Sequence, residues 1–541
     1  MRLYHLAVVV VPMCASPVLA QAVRDAASIA QDQNAPAPRR DAGPAGEVIV
    51  APDAPASVPA DLPGGLLIGA VIVEGAPALP REAFAPVIAD YVGRLASTQD
   101  LQELARAVAA VARKRGFVFA TAAVPAQTVN AGMVTVRIDE GDIALVRMTG
   151  SKNARVQRIL DRITGRGVRR EVLERQLLLA GDVPGIQIAS TRLVHEDIGN
   201  VLLVEVREKN GHGAFGIDTY GQRNLGPVRA RLRYDFIGLA DVGDSLTLQA
   251  VATPADPRQL TYVSGRYALS LGTGGTQLAF TGSYGRAAPS RSGFNSNSTH
   301  VGILLSTPLK RANRVSIWAN AEIGLQRVVG TYNGEPDLRD STATATGWLY
   351  ATSRIGNSRL SGGLGVTRGF ALAGATGPAD PRASRPDASG VFTKGFFWTD
   401  WVQPLGSGLS VRIAANGQLA DRPLLATQEI GLGGPSFGRA FDFWERFGDS
   451  GVMASGELRW RQSEPLDGVD WVEPFAQIDT GHIWNLEGGF GGGDLTSTGG
   501  GVRAAFGKLR LSVEAAVPIN TVRAATRDKT PRVNVSVERR F

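Results

Sequence analysis

At 541 residues the chain exceeds what one compact core accommodates, so more than one structural unit is expected. Hydrophobic residues at 44% and charged residues at 20% exclude a disordered chain, and 65 glycines favour a β-rich protein with many turns over a helical membrane protein. The formal net charge of +7 comes from arginines spread over alternating strand positions, not clustered on a helix, and so points to no nucleic-acid partner.

Residues 1–20 have the layout of a secretory signal, with Arg2, an apolar stretch from Leu6 to Ala15, and Val18-Leu19-Ala20 before Gln21; cleavage is expected after Ala20. Pro12 and Pro17 interrupt a stretch already too short to span a bilayer, and Met13 before Cys14 does not suit lipoprotein processing. Cys14, the single cysteine, leaves with this segment, so the mature chain forms no disulfide and no thiolate-metal site. Residues 21–65, rich in Ala, Pro, Asp and Gln, read as a tether without a core, carrying one candidate short helix near Val23–Asp32.

From Leu66 a strand (Leu66–Glu74) is followed by a helix after Pro80 and a strongly amphipathic helix from Thr98 to Arg115. Leu101, Leu104, Ala105, Val108 and Val111 share one face of the second helix, with Thr98 or Ser97 as its cap. Strands near Phe119–Val124 and Met133–Asp139 complete a β-α-α-β-β order for residues 66–141. The order then repeats over residues 142–210. Val71-Ile72-Val73-Glu74-Gly75 is echoed by Val146-Arg147-Met148-Thr149-Gly150, and Val134-x-Val136-x-Ile138-x-Glu140 by Leu202-x-Val204-x-Val206-x-Glu208. Asn153–Thr164 and Arg169–Ala180 supply the two helices of the second copy.

From residue 211 to Phe541 alternation replaces helical periodicity. Val228, Ala230, Leu232, Tyr234 and Phe236 alternate with Arg229, Arg231, Arg233 and Asp235; Leu509, Leu511 and Val513 alternate with Lys508, Arg510, Ser512 and Glu514. Such segments, about ten residues long, suit strands that cross a bilayer at a tilt. Sixteen of them begin near 212, 228, 244, 259, 276, 298, 313, 340, 359, 390, 408, 451, 471, 493, 508 and 532. An even count closes an antiparallel transmembrane β-barrel with both chain ends on the periplasmic side and no free edge in lipid. All eight tryptophans lie beyond Ile317, many near strand ends, where an interfacial girdle would place them.

One connection is too long for a simple channel. Residues 421–450 contain Ile430-Gly431-Leu432-Gly433-Gly434-Pro435-Ser436-Phe437-Gly438-Arg439-Ala440-Phe441-Asp442, and Phe437, Phe441, Phe443 and Trp444 favour an ordered, functional loop.

This segment resembles the Gly-Gly-Pro-x-x-x-Arg-Gly-aromatic loop of the two-partner secretion transporters, the haemolysin activation and secretion family. That family belongs to the superfamily that also contains the outer-membrane insertases. The resemblance implies that the loop folds into the barrel and that Gly438, Arg439, Ala440 and Phe441 form its motif, with Ala440 standing where the family has Gly. It makes Asp479 and Gly481, in Phe475-Ala476-Gln477-Ile478-Asp479-Thr480-Gly481, the lumen-strand partner motif. In a confined lumen an Arg439–Asp479 pair would be bidentate and charge-assisted, pinning the loop. The terminal Phe541 resembles the barrel-assembly signal of outer-membrane proteins, and the two β-α-α-β-β units resemble polypeptide-transport-associated (POTRA) modules. Residues 21–65 occupy the position of the family's plug helix and linker.

The implied function is export of a large β-helical adhesin or haemolysin from the periplasm to the cell surface by a monomeric outer-membrane pore with periplasmic modules. Outer-membrane lipid, periplasmic chaperones and the barrel-assembly machinery are the further partners. An insertase would share the architecture but usually carries more modules, and a passive channel would need neither modules nor loop. No catalytic residue, cofactor or metal site is expected. His5, His195, His212, His300 and His482 are scattered, and the Gly272–Gly275 and Gly488–Gly493 stretches lack the Lys-Ser/Thr of a phosphate loop.

Overall fold

A computed structural model describes residues 48–49, 65–240 and 243–541. The signal-like segment 1–20 and the candidate helix Val23–Asp32 lie outside the described residues.

The first module is built on the helix Thr98–Lys114, which opens with a capping box. Asp100 N–H donates to Ser97 Oγ at 3.2 Å, and the Asp100 carboxylate accepts the Ser97 N–H at 2.7 Å. Its apolar face buries Leu101, Leu104, Ala105 and Val108 against Val134, Val136 and Ile138 of the central strand Met133–Asp139. That strand pairs in parallel with Ala70–Glu74 and antiparallel with Thr121–Ala123. The expected single strand Leu66–Glu74 is in fact two. Leu66–Leu67 pairs with Leu95–Ala96, and Gly69 separates it from Ala70–Glu74 at a point where a Cβ would come 2.7 Å from Ala131 O. The helix after Pro80 is short, a 3₁₀ turn (Arg81–Ala83) leading into Ala85–Ala89.

The second module repeats the plan. Leu145–Thr149 runs parallel to Gly199–Glu208, and the helices Ala154–Leu160 and Arg170–Gly181 cover the sheet around Val156, Leu160, Leu173, Leu177 and Leu202. Gly75 and Gly150 end equivalent strands with φ of +85° and +77°. An added Cβ would lie 2.2 Å from Ile138 O at the first and 2.3 Å from Val206 O at the second, so both copies require glycine at the same place. The long strand Ile186–Glu196 had no boundaries in the periodicity; it pairs with Gly199–Glu208, and its outer edge takes Val48–Ile49 in parallel at Thr191–Arg192. Part of the expected tether therefore extends the sheet of the second module.

The remaining strands close a sixteen-stranded antiparallel barrel. Strand 1 (Gly211–Asp218) pairs with strand 2 (Arg229–Ile237) on one side and strand 16 (Arg532–Arg540) on the other. Strand 12 (Ser450–Trp460) continues past Arg461 as Gln462–Leu466. Alternation separates the two faces: Ile323, Leu364 and Leu419 are 68%, 67% and 65% exposed on the outside, whereas Asp235, Glu457 and Asn534 are buried within. At the seam Phe541 extends the ladder beyond strand 16, its N–H donating to Gly213 O at 3.0 Å and its carbonyl accepting Gly213 N–H at 2.9 Å.

The tryptophans divide differently from the expected girdle. Trp318 and Trp398 fall on lumen parity and sandwich Tyr350, with ring centroids 5.2 and 5.5 Å apart, and Trp444 belongs to the inward loop. A position near a strand end does not reveal which face the residue takes; only the alternation parity does.

Candidate functional site

Between strand 11 (Leu409–Ala420) and strand 12 the chain folds back into the barrel. A small hairpin, Ile430–Leu432 with Arg446–Gly448, carries the tip. Gly433, Gly434 and Gly438 adopt φ of +115°, +104° and +80°, which turns the chain tightly enough for Gly433 N–H to donate to Phe437 O at 3.0 Å. Phe441, fully buried, packs with Leu432, Ala440, Met453, Ile483, Leu495 and Ala516, so the tip is held first by an apolar cluster that joins the loop to strand 12, strand 13 (Val469–Trp484), strand 14 (Gly493–Phe506) and strand 15 (Leu509–Pro518).

Gly481 makes room for this packing. A Cβ there would lie 2.9 Å from both Leu432 Cδ2 and Met453 Cβ. Ala440 is also fully buried, yet it is not among the residues of positive φ, so the methyl group is accommodated where the resembled family carries Gly.

Arg439 is 3% exposed, and the structure brings it beside Asp479 of strand 13 (Val469–Trp484). The contact is not bidentate. Asp479 Oδ2 accepts the backbone N–H of Arg439 at 3.1 Å, and Asp479 Oδ1 lies 3.5 Å from Nη2. The short charged contact goes instead to Glu457 of strand 12, with Nη2 to Oε1 at 2.7 Å and Ser455 Oγ at 2.9 Å from the same nitrogen. Ser455 and Asp479 face each other in register, and Glu457 faces Gln477 one pleat on, which sets the two carboxylates along one lumen wall. Among the described residues no group accepts a hydrogen bond from the buried Arg439 Nε or Nη1.

Glu457 is the residue that sequence reasoning missed. It also receives Arg459 and, at 3.2 Å, Arg503, with Arg412 3.8 Å away. Its signal was present, since it is the one acid of strand 12, on the lumen parity it shares with Met453, Ser455 and Arg459. Without the register, that parity could not be tied to Arg439.

Two further anchors frame the loop. At its exit Arg532 of strand 16 donates to Asp442 Oδ1 and to Phe441 O, both at 2.7 Å. Toward the cell surface Arg385, on the connection before strand 10 (Thr393–Gly406), binds Asp449 at 2.8 Å, and Asp449 also accepts the N–H groups of Leu424 and Leu486, each at 2.7 Å. On the periplasmic side Asp182 of the second module makes a bidentate pair with Arg311, at 2.7 and 2.8 Å, on the turn before strand 7 (Val315–Tyr332). A cavity of about 780 Å³ separates the loop tip, at Pro435, Phe437 and Arg439, from Leu178 of that module. Among the described residues no group of three His, Cys, Asp or Glu side chains could hold a metal ion.

A barrel with its own loop folded into the lumen, and a β-α-α-β-β module docked beneath it, defines an outer-membrane transporter with periplasmic POTRA modules. Residues 199–504 match the haemolysin secretion/activation protein family ShlB/FhaC/HecB, and residues 66–141 match the ShlB-type POTRA domain. The chain belongs to that haemolysin secretion/activation family. The heme/hemopexin transporter protein HuxB of Haemophilus influenzae (strain 86-028NP) is 23% identical over 179 residues, 32% of each chain, so the alignment spans about a third of the curated relatives' length. CdiB from Escherichia coli is similar in fold, with a TM-score of 0.74 at 17% identity over 97% of this chain and 99% of that one. CdiB from Acinetobacter baumannii superimposes with a TM-score of 0.65 at 15% identity over the same shares.

Proposed function

We propose that this chain is the translocation pore through which a large β-helical partner protein leaves the periplasm for the cell surface. The observation that carries the proposal is a cavity of about 780 Å³ whose lining includes both Leu178 of the second module and Pro435, Phe437 and Arg439 of the loop tip. The edge strands Ala70–Glu74 and Thr121–Ala123 of the first module's sheet suit capture of an extended client by strand addition. Folding of the client outside supplies the direction of transport, so no nucleotide is used. Arg439, Glu457 and Asp479 hold the loop in the resting pore, and passage requires that this contact be given up. The closing strand and Phe541 serve barrel assembly.

The test is secretion of the β-helical partner by cells with and without this gene. Loss of the partner from the medium, with other outer-membrane proteins at normal level, supports a dedicated exporter. Normal secretion with a general loss of outer-membrane barrels would replace it with an insertase.

A further inference from the structure

On the outer wall of the barrel, strand 7, strand 8 (Glu335–Ile355), strand 9 (Ser358–Phe370) and strands 10 to 12 surround an apolar concavity of about 690 Å³. Leu349, Leu364, Val366, Phe397, Leu419 and Val452 form its walls and are between 39% and 67% exposed, which places the concavity on the face turned toward hydrocarbon. Its floor is backbone at Gly347 and Gly395. Glycine in a strand interior weakens the strand and normally marks a bulge, a special φ or a close approach. None of these applies here. A Cβ on Gly347 would meet nothing within 4 Å, one on Gly395 would come no nearer than 3.9 Å to Gly365 O, and neither residue has a positive φ. Gly417 nearby shows the contrast, because Phe397 lies across it and a Cβ would sit 2.4 Å from Phe397 Cε1.

Nothing within the chain therefore requires glycine at 347 and 395; what the two residues provide is room. We propose that this groove is a binding site for an acyl chain of an outer-membrane lipid, seated against Gly347 and Gly395. The backbone polar groups beneath it are paired in the barrel ladder, so the groove offers water no partners and stays dry. An empty trough would forfeit the dispersion contacts of its lining. The groove is continuous with the rest of the lipid-facing wall, and Trp484, at the end of strand 13 away from the periplasm, closes one end of it where an indole meets the headgroup region.

The experiment is native mass spectrometry of the full chain extracted from outer membranes, comparing wild type with Gly347→Leu/Gly395→Leu, in which each added Cβ comes no nearer than 3.9 Å to a neighbour and the side chains extend into the groove. Gly282→Leu is the control, since Gly282 alternates with the exposed Phe280 and Tyr284 and a Cβ there would come no nearer than 3.9 Å to His300 O. The expected result is a retained lipid on wild type and control, and loss of most of that population in the filled variant. Equal lipid retention in all three overturns the site, and so does a barrel dimer that only the filled variant loses, which would make a second copy the occupant. If the filled variant does not assemble, wild type in vesicles containing a phospholipid with a diazirine-bearing acyl chain decides the matter. Labelling concentrated on strands 8 to 11 supports the site, and labelling spread evenly around the barrel overturns it.

Discussion

Arg439 Nη2 lies 2.7 Å from Glu457 Oε1 but 3.5 Å from Asp479 Oδ1, so the charged half of the loop contact belongs to strand 12, while strand 13 holds the loop backbone. The two carboxylates therefore have different work. Glu457 neutralises the guanidinium, and Asp479 fixes where the chain turns.

Removing one partner of a buried ion pair leaves the other charge stranded, at a cost of about 3–5 kcal/mol. Glu457→Ala is accordingly expected to undock the loop more than Asp479→Ala does, with protease cleavage between Asp421 and Asp449 as the measurement. Arg439→Ala/Glu457→Ala should be less damaging than the sum of its singles, because removing both leaves no stranded charge from this pair. Equal cleavage of both single variants and additivity in the double would place the charge elsewhere.

Gly481→Val puts carbon where Leu432 and Met453 already sit, within 2.9 Å. Overpacking of this kind costs roughly 1–3 kcal/mol. The variant should assemble as a heat-modifiable barrel yet show raised pore conductance in planar bilayers; unchanged conductance would mean that the apolar cluster does not hold the loop.

The Asp182–Arg311 pair ties the second module to the barrel mouth. In Arg311→Ala, cysteines introduced at Leu179 and Pro308, whose side chains both approach Gly275, should cross-link less efficiently than in the parent. The barrel itself should assemble normally. Undiminished cross-linking would show that other contacts fix the module.

The capping box of the first module makes a pH prediction. The hydrogen bonds from the Ser97 side chain and backbone hold the Asp100 carboxyl below its ordinary value. A depressed carboxylate pKa stabilises the fold above its unfolded value of about 3.9, and that contribution disappears as pH falls through the folded value. Ser97→Ala should lower module stability near neutral pH and by less in acid, where the Asp100 carboxyl is protonated, read by thermal unfolding. A pH-independent difference would remove the capping box from the account.

The architecture was largely legible because each element has its own period. The sixteen strand starts fall within a few residues of their sequence positions; the eighth is the widest miss, near 340 against Glu335, because that strand continues well beyond bilayer length. The Thr98–Lys114 helix announced itself through one apolar face and its cap. Of the site, the loop motif and Asp479 could be named from a resemblance, but Glu457 could not, because pairing across strands 12 and 13 depends on a register that alternation alone leaves free. The same limit explains Trp318 and Trp398, whose lumen placement follows from parity and not from their distance to a strand end.

The most direct test of the central claim is photo-cross-linking of a polypeptide in transit. A photoreactive residue at Thr352, which lines the cavity beneath the loop tip on the same parity as Tyr350, should yield an adduct with the secreted β-helical partner while secretion is under way. The same residue at the outward-facing Leu364 should not. Adducts at Thr352 with newly made outer-membrane barrels, or none during active secretion, would contradict passage of the partner through this lumen.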